Sequence, residues 1–208
     1  MTSGIGRAQV LLAIPFMRLL ATALFWGLAA PIWMRGWWRV PRRGPLLVIA
    51  NHQSNTDPVV VQYACRRHIR FLTRRDLFTP GPLGKFLRWF GAVPIQQGAP
   101  DKTALKTAIE LIRQGEAVGI FPEGRLSPDG DLLPMLPGVA LIVKRTGVRC
   151  ICVGLKGTRK VMPYPETKPR LAFSWIIARW GEPRVFRPDA SQEEILGWIE
   201  SELKRLTA

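Results

Sequence analysis

Histidine and cysteine are scarce in this chain of 208 residues, which holds two of the first and three of the second. The three thiols, Cys65, Cys150 and Cys152, leave one unpaired and are spaced for neither a zinc cage nor a disulfide framework. A reducing, cytosolic face fits that usage, and no metal site is expected. With Ile151 and Val153 as apolar neighbours, Cys150 and Cys152 read as same-face residues of one strand. Glycine-rich nucleotide loops of the dinucleotide or Walker type are missing, and no cofactor is expected. Internal repeats and low-complexity stretches are missing too. The length suits one domain with a sizeable core, so a second catalytic domain would not fit.

Acidic residues are also short: 15 Asp and Glu stand against 30 Lys and Arg, giving a formal charge of +15 and a sequence pI near 11.0. Such an excess needs an acidic partner, whether nucleic acid, anionic lipid headgroups or phosphorylated substrates. Placement decides among them. Arg35, Arg39, Arg42 and Arg43 directly follow an apolar N-terminal segment and interleave with Trp33, Trp37 and Trp38. That pattern reads as a membrane interface, so an anionic membrane surface, and not nucleic acid, is the expected partner.

A long uninterrupted apolar run is lacking as well. Residues 8–34 are mostly apolar, but Pro15, Arg18 and Pro31 break them up, and the uncharged stretch at 19–34 falls short of the ~20 residues a spanning helix needs. A spanning helix, a secretory signal ending near Leu28-Ala29-Ala30, and a buried helix of a soluble domain all remain open readings. The interruptions and tryptophans fit best an apolar hairpin of helices lying in one leaflet, with the arginines at the headgroups. Monotopic attachment to the cytoplasmic face of a membrane is therefore expected for residues 1–43, with a globular domain over 44–208.

What is present beyond residue 43 is an alternation of short apolar runs and helical patterns. Runs at 46–50, 69–73, 92–95, 117–121, 150–155 and 172–178 predict strands of a largely buried sheet. Helices are predicted at 101–114, with Ala104, Ala108, Leu111 and Ile112 at helical spacing, and at 191–206, where Ser191 and Glu194 form a capping box. An α/β domain follows, a mixed sheet flanked by helices.

Two motifs follow apolar runs. The first is Asn51-His52-Gln53-Ser54-Asn55-Thr56-Asp57. An alcohol becomes a useful nucleophile when its proton leaves during attack, and a neutral imidazole suits that task near pH 7. A carboxylate on the other ring nitrogen fixes the tautomer, so Asp57 is the natural partner of His52. Five positions would not share one face of a straight helix, but Pro58 favours a helix start there, leaving His52 in a turn that folds back over Asp57. The alternative is an Asp57 that serves only as a helix cap. His68, the other histidine, sits among Arg66, Arg67 and Arg70, whose charges disfavour its protonated form. Ser54 lacks the Gly-x-Ser-x-Gly elbow of a hydrolase nucleophile and reads as a turn or capping residue.

The second motif is Phe121-Pro122-Glu123-Gly124-Arg125-Leu126-Ser127. Pro122 stops the strand, Gly124 permits close backbone approach, and Arg125 offers a planar two-pronged donor for a phosphate. An ordinary turn with a surface ion pair is the alternative.

Together the motifs resemble those of the glycerolipid acyltransferase family, which includes 1-acyl-glycerol-3-phosphate acyltransferases. Asn51, His52 and Asp57 match its Asn-His-x-x-x-x-Asp block, with Ser54 where a serine is usual, and residues 121–124 match Phe-Pro-Glu-Gly. Gly91-Ala92-Val93-Pro94-Ile95 is similar to the intervening block, and Arg74 with Arg75 resembles the basic pair before it. The resemblance covers about 45–160. It implies the family's α/β fold with an N-terminal membrane-associated helical pair, His52 as general base oriented by Asp57, and direct attack of a lysophospholipid hydroxyl on acyl-coenzyme A or an acylated carrier protein. Glu123, Gly124 and Arg125, with Ser54, Arg74 and Arg75, would bind the acceptor. Three departures stand out: Arg125-Leu126 replaces the common Thr-Arg, Gln96-Gln97 replaces Asp-Arg, and Leu136-Pro137-Gly138 lacks the usual lysine. They leave room for a larger headgroup, as in lysophosphatidylethanolamine.

Overall fold

The computed structural model describes residues 7–95, 102–166 and 168–208. Gln96, Gln97 and Asp101 lie outside the described residues. One sheet of seven strands forms the centre: β1 (Ile32–Arg35), β2 (Leu46–Ala50), β3 (Arg70–Arg74), β4 (Val93–Ile95), β5 (Ala117–Ile120), β6 (Cys150–Lys156) and β7 (Ile176–Trp180). Their spatial order is β1-β7-β6-β2-β5-β3-β4. Every neighbouring pair is parallel except β6 and β7, so the sheet is mixed, as the sequence predicts.

Burial on both faces accounts for the unbroken apolar runs. All five residues of β2 are buried, with Leu46, Val48 and Ala50 in one core layer and Leu47 and Ile49 in the other. The first layer receives α1 (Arg7–Gly27) through Met17, Ala21 and Phe25, and α2 (Asp57–Ala64) through Val60, Val61 and Ala64. On the other face lie α4 (Lys102–Arg113), α5 (Gly138–Thr146) and α7 (Gln192–Thr207). Two further helices, α3 (Pro82–Trp89) and α6 (Thr158–Val161), serve connections. Ser191 caps α7 by accepting from the Glu194 N–H at 3.1 Å, the forward half of the capping box, while the Glu194 carboxylate accepts from Arg184 at 3.1 Å. Cys150 and Cys152 share one core layer while Ile151 and Val153 enter the other, and burial pushes the Cys150 thiol up to about 12.

The N-terminal segment departs from the helical pair. The described part is one helix, α1, and residues 32–35 form a strand that joins the sheet beside β7 instead of a second helical arm. Arg18, which interrupts the apolar run, donates to the Tyr63 and Cys65 carbonyls at 3.1 and 2.6 Å, tying α1 to the end of α2. Strand β1 then carries the chain to the opposite edge of the sheet. The segment bearing Trp37, Trp38, Arg42 and Arg43 therefore stands at the amino end of β2, away from the first motif. Arg39 there pairs with Glu182 at 2.6 Å, and the Arg66 guanidinium lies over the Trp37 ring.

Candidate active site

Strands β2 and β5 are parallel neighbours, and each delivers one motif at its carboxyl end. The register that pairs Ile49 with Ile120, carried three residues further, sets His52 beside Glu123. Open α/β sheets bind their ligands at this edge. Asn51 extends the β2 ladder toward β6 through its side chain: its amide donates to the Leu155 carbonyl at 3.0 Å and its oxygen accepts the Leu155 N–H at 2.7 Å. The first motif thus begins from a fixed point, although β2 itself has ended.

His52 and Asp57 meet. His52 Nδ1 lies 2.9 Å from Asp57 Oδ2, and the same oxygen accepts the N–H groups of Gln53 at 2.6 Å and Ser54 at 2.8 Å. The carboxylate is fully buried. Its bonds run backward to the turn and not forward into α2, where Thr56 is the residue before the helix. The cap-only reading of Asp57 is therefore replaced by one in which the carboxylate closes the His52 turn and holds the ring. With Nδ1–H facing Asp57, the Nε2 lone pair is the free one. The His52 side chain is 18% exposed, and its ring stacks on Phe121 with centroids 4.0 Å apart and planes inclined by 16°. Phe121 packs on Phe71 in turn, so an aromatic stack anchors the imidazole in one plane.

Glu123 braces the same turn. Its Oε1 accepts the His52 backbone N–H at 2.8 Å, and its Oε2 accepts the Leu133 N–H at 3.1 Å. Burial pushes its carboxyl above the usual range, and the two N–H groups oppose that shift. Both oxygens are spent on backbone, so Glu123 positions His52 and ties it to the loop beyond the second motif. The Ser127 N–H adds a bond to the His52 carbonyl at 2.8 Å. Replacing Glu123 with Gln is expected to cost about 1–3 kcal/mol of stability, since one buried N–H would then face an amide donor. Chemical denaturation of the two proteins measures it.

The remaining site residues divide into buried and exposed. Ser54 is buried, and its hydroxyl donates to the Met162 carbonyl at 2.9 Å and accepts the Thr56 N–H at 3.2 Å, which is the work of a turn residue. Gly124 has φ 69°, and a Cβ there would strike the Leu136 side chain, so the turn requires glycine. Arg125 is exposed in that turn and makes no ion pair among the described residues. Arg74 and Arg75 stand at the carboxyl end of β3, on the same edge of the sheet. Arg74 is bound through two nitrogens to Asp76, while Arg75 is exposed and makes no ion pair among the described residues. His68 is tied elsewhere, with Nε2 on the Phe90 carbonyl at 2.8 Å and its pKa lowered by burial first. Among the described residues no three His, Cys, Asp or Glu side chains gather to hold a metal ion.

Sequence reasoning named Phe121 only as part of a motif and gave Asn51 no geometric task. The stack on His52 and the Glu123 brace were both implied by the parallel register of β2 and β5, a pairing that becomes visible once those strands are known to be neighbours.

A family model described as Acyltransferase matches residues 32–156. The chain is 32% identical over 121 residues to a chloroplastic 1-acyl-sn-glycerol-3-phosphate acyltransferase of Brassica napus, covering 57% of this chain and 35% of that protein. To a 1-acyl-sn-glycerol-3-phosphate acyltransferase of Bacillus subtilis it is 35% identical over 107 residues, covering 50% of this chain and 52% of the relative. It thus spans about a third to a half of the length of these relatives. The crystal structure of a 1-acyl-sn-glycerophosphate acyltransferase from Thermotoga maritima shares the fold, with a TM-score of 0.81 at 24% identity over 92% of this chain and 77% of that one. The matched segment is more than half of the sequence and contains the paired His52 and Asp57 as well as the Glu123 brace, and the chain belongs to the acyltransferase family.

Proposed function

We propose that the protein transfers an acyl group from acyl-coenzyme A or an acylated carrier protein to the free hydroxyl of 1-acyl-glycerol-3-phosphate, forming phosphatidic acid. The observation that carries this reading is the 2.9 Å contact of His52 Nδ1 with buried Asp57, which leaves Nε2 without a hydrogen-bond partner among the described residues. His52 Nε2 takes the hydroxyl proton as that oxygen attacks the thioester carbonyl. The tetrahedral adduct then collapses, the carbon–sulfur bond breaks, and the imidazolium returns the proton to the departing sulfur. No acyl-enzyme forms; Ser54, buried and bonded to Met162, is withdrawn from such a role. The names of the relatives support the acceptor. Incubating the purified protein with labelled acyl-coenzyme A or acyl carrier protein and a panel of lysophospholipids, then identifying the acylated product, tests it. Turnover confined to lysophosphatidylethanolamine would overturn the acceptor, and lysolipid loss without acylated product would overturn the transfer.

A second acceptor, with a larger headgroup, is favoured by one feature: the motif cation is Arg125, directly after Gly124, where the family commonly places it one residue later. Arg125 and Arg75 are exposed motif cations without an ion pair among the described residues, and we assign them to the acceptor phosphate. Replacing Arg125 with Ala should raise KM for the phosphate-bearing acceptor about tenfold or more with kcat little changed, the pattern of a lost ground-state contact. Steady-state kinetics at varied acceptor concentration decide this.

We further infer monotopic attachment to the cytoplasmic face of an anionic membrane. Leu19, Leu20, Leu24 and Trp26 are exposed along α1 while Met17, Ala21 and Phe25 are buried against the domain. No helix among the described residues is long and apolar enough to cross a membrane. A helix that turns an apolar face to the domain and a second apolar face outward, beside a basic domain, suits the headgroup boundary.

A further inference from the structure

Residues 170–176 carry an alternation that the catalytic reading does not use. Leu171 and Trp175 are each 58% exposed and Phe173 is 80% exposed. The N–H groups of Ala172, Ser174 and Ile176 donate to the carbonyls of Leu28, Ala29 and Pro31 at 2.9, 3.0 and 3.0 Å. Alternate residues thus lace this segment to the end of α1, and the apolar ones between them face outward. Phe173 has φ 44° and its neighbour across the lacing, Ala29, has φ 51°; they are the two non-glycine residues with positive φ among the described residues. A bulky side chain rarely holds that conformation, because Cβ crowds the backbone. Here the strained residue presents a phenyl ring to solvent, where no packing inside the protein rewards it.

Topology fixes where this surface lies. Strand β7 runs antiparallel to β6, pairing Ile177 with Lys156 at the carboxyl end of β6, and β1 begins beside it with Ile32 opposite Ile176. The start of β7, the end of α1 and the carboxyl ends of β2 and β5 are therefore at one edge of the sheet, the edge that holds His52. The connection is also direct: Ser54 of the catalytic turn bonds the Met162 carbonyl, and the Arg170 N–H bonds the Val161 carbonyl at 2.8 Å. From 156 to 170 the chain carries Lys156, Arg159, Lys160, Lys168 and Arg170 against Glu166 as its one acid.

We propose that residues 170–176, with Trp26 at the end of α1, form a bilayer-contact element at the catalytic edge, and that its partner is an anionic lipid surface. The proposal rests on the membrane attachment inferred above and adds where the bilayer meets the domain. Exposed aromatics insert at the headgroup boundary, and the flanking cations neutralise anionic headgroups. Docked this way, the domain turns His52 toward the leaflet. A lysolipid then brings its hydroxyl to Nε2 while its acyl chain stays in the hydrocarbon.

The test uses the full chain and vesicles of phosphatidylglycerol and phosphatidylcholine, with binding read by co-sedimentation. Phe173→Asn removes the ring and installs a residue that tolerates positive φ, so thermal stability should hold or rise while vesicle binding falls about tenfold. With brominated phosphatidylglycerol, the fraction of tryptophan emission quenched should drop in Trp175→Phe. Trp26→Ser provides the separating control. If the wild type binds vesicles and Trp26→Ser weakens binding while Phe173→Asn does not, the contact proposed for residues 170–176 is wrong and membrane attachment stands. If the wild type does not bind vesicles, the attachment itself fails. Loss of self-association in Phe173→Asn, with vesicle binding unchanged, would assign the patch to a second copy of the chain and overturn the proposal.

Discussion

Replacing His52 with Ala is expected to lower acyl transfer by about 10²- to 10⁴-fold while leaving the fold in place. The size follows from the role proposed for the ring, a general base acting through Nε2, the nitrogen that Asp57 leaves free. The survival of the fold follows from how the turn is held. Glu123 bonds the His52 backbone N–H, Ser127 bonds its carbonyl, and Asp57 keeps the Gln53 and Ser54 N–H groups, none of which needs the imidazole. Loss of the ring does uncover Phe121, which remains stacked on Phe71. Thiol release from acyl-coenzyme A gives the rate, and a thermal melt gives the fold. Turnover near the wild-type value would remove His52 from the chemistry.

Much of this arrangement was legible because it is local. The apolar runs at 46–50, 117–121 and 150–155 correspond to β2, β5 and β6, which are buried on both faces and so need no alternation. Helices α4 and α7 lie where periodicity and the Ser191 cap place them. Pairing His52 with Asp57 needed only a five-residue turn ending at a helix start. What escaped is nonlocal. Strand β1 is four residues inside an apolar segment with no period of its own, and its partner β7 is about 140 residues away. The run at 172–178 predicts a strand from its first residue, yet the regular strand begins at Ile176, because the preceding residues bond the end of α1. The brace formed by Glu123 was hidden for the same reason. Its acceptors face the His52 and Leu133 N–H groups only after two strands are set side by side, and no spacing in the chain announces that.

Asp57→Asn is expected to lower kcat by about 10²- to 10⁴-fold and to cost about 1–3 kcal/mol of stability. The amide retains the size of the carboxylate, so the effect isolates charge and hydrogen bonding. In the wild type three donors converge on Oδ2, from His52 Nδ1, Gln53 N and Ser54 N, while Oδ1 is buried without a partner. If the amide oxygen takes the Oδ2 position, it can still accept from the turn, but the NH2 group then occupies the unpartnered site and its donors go unmet. If the amide flips, its donors confront three others. Either way the negative charge that would stabilise an imidazolium in the proposed attack is lost. In the proposed mechanism Asp57 acts through the ring, so the His52→Ala/Asp57→Asn double variant should be no slower than His52→Ala alone, a non-additivity that separates orientation from independent catalysis. Single-turnover rates for the four proteins measure it. A further fall in the double variant would mean that Asp57 contributes to the reaction by a route other than His52.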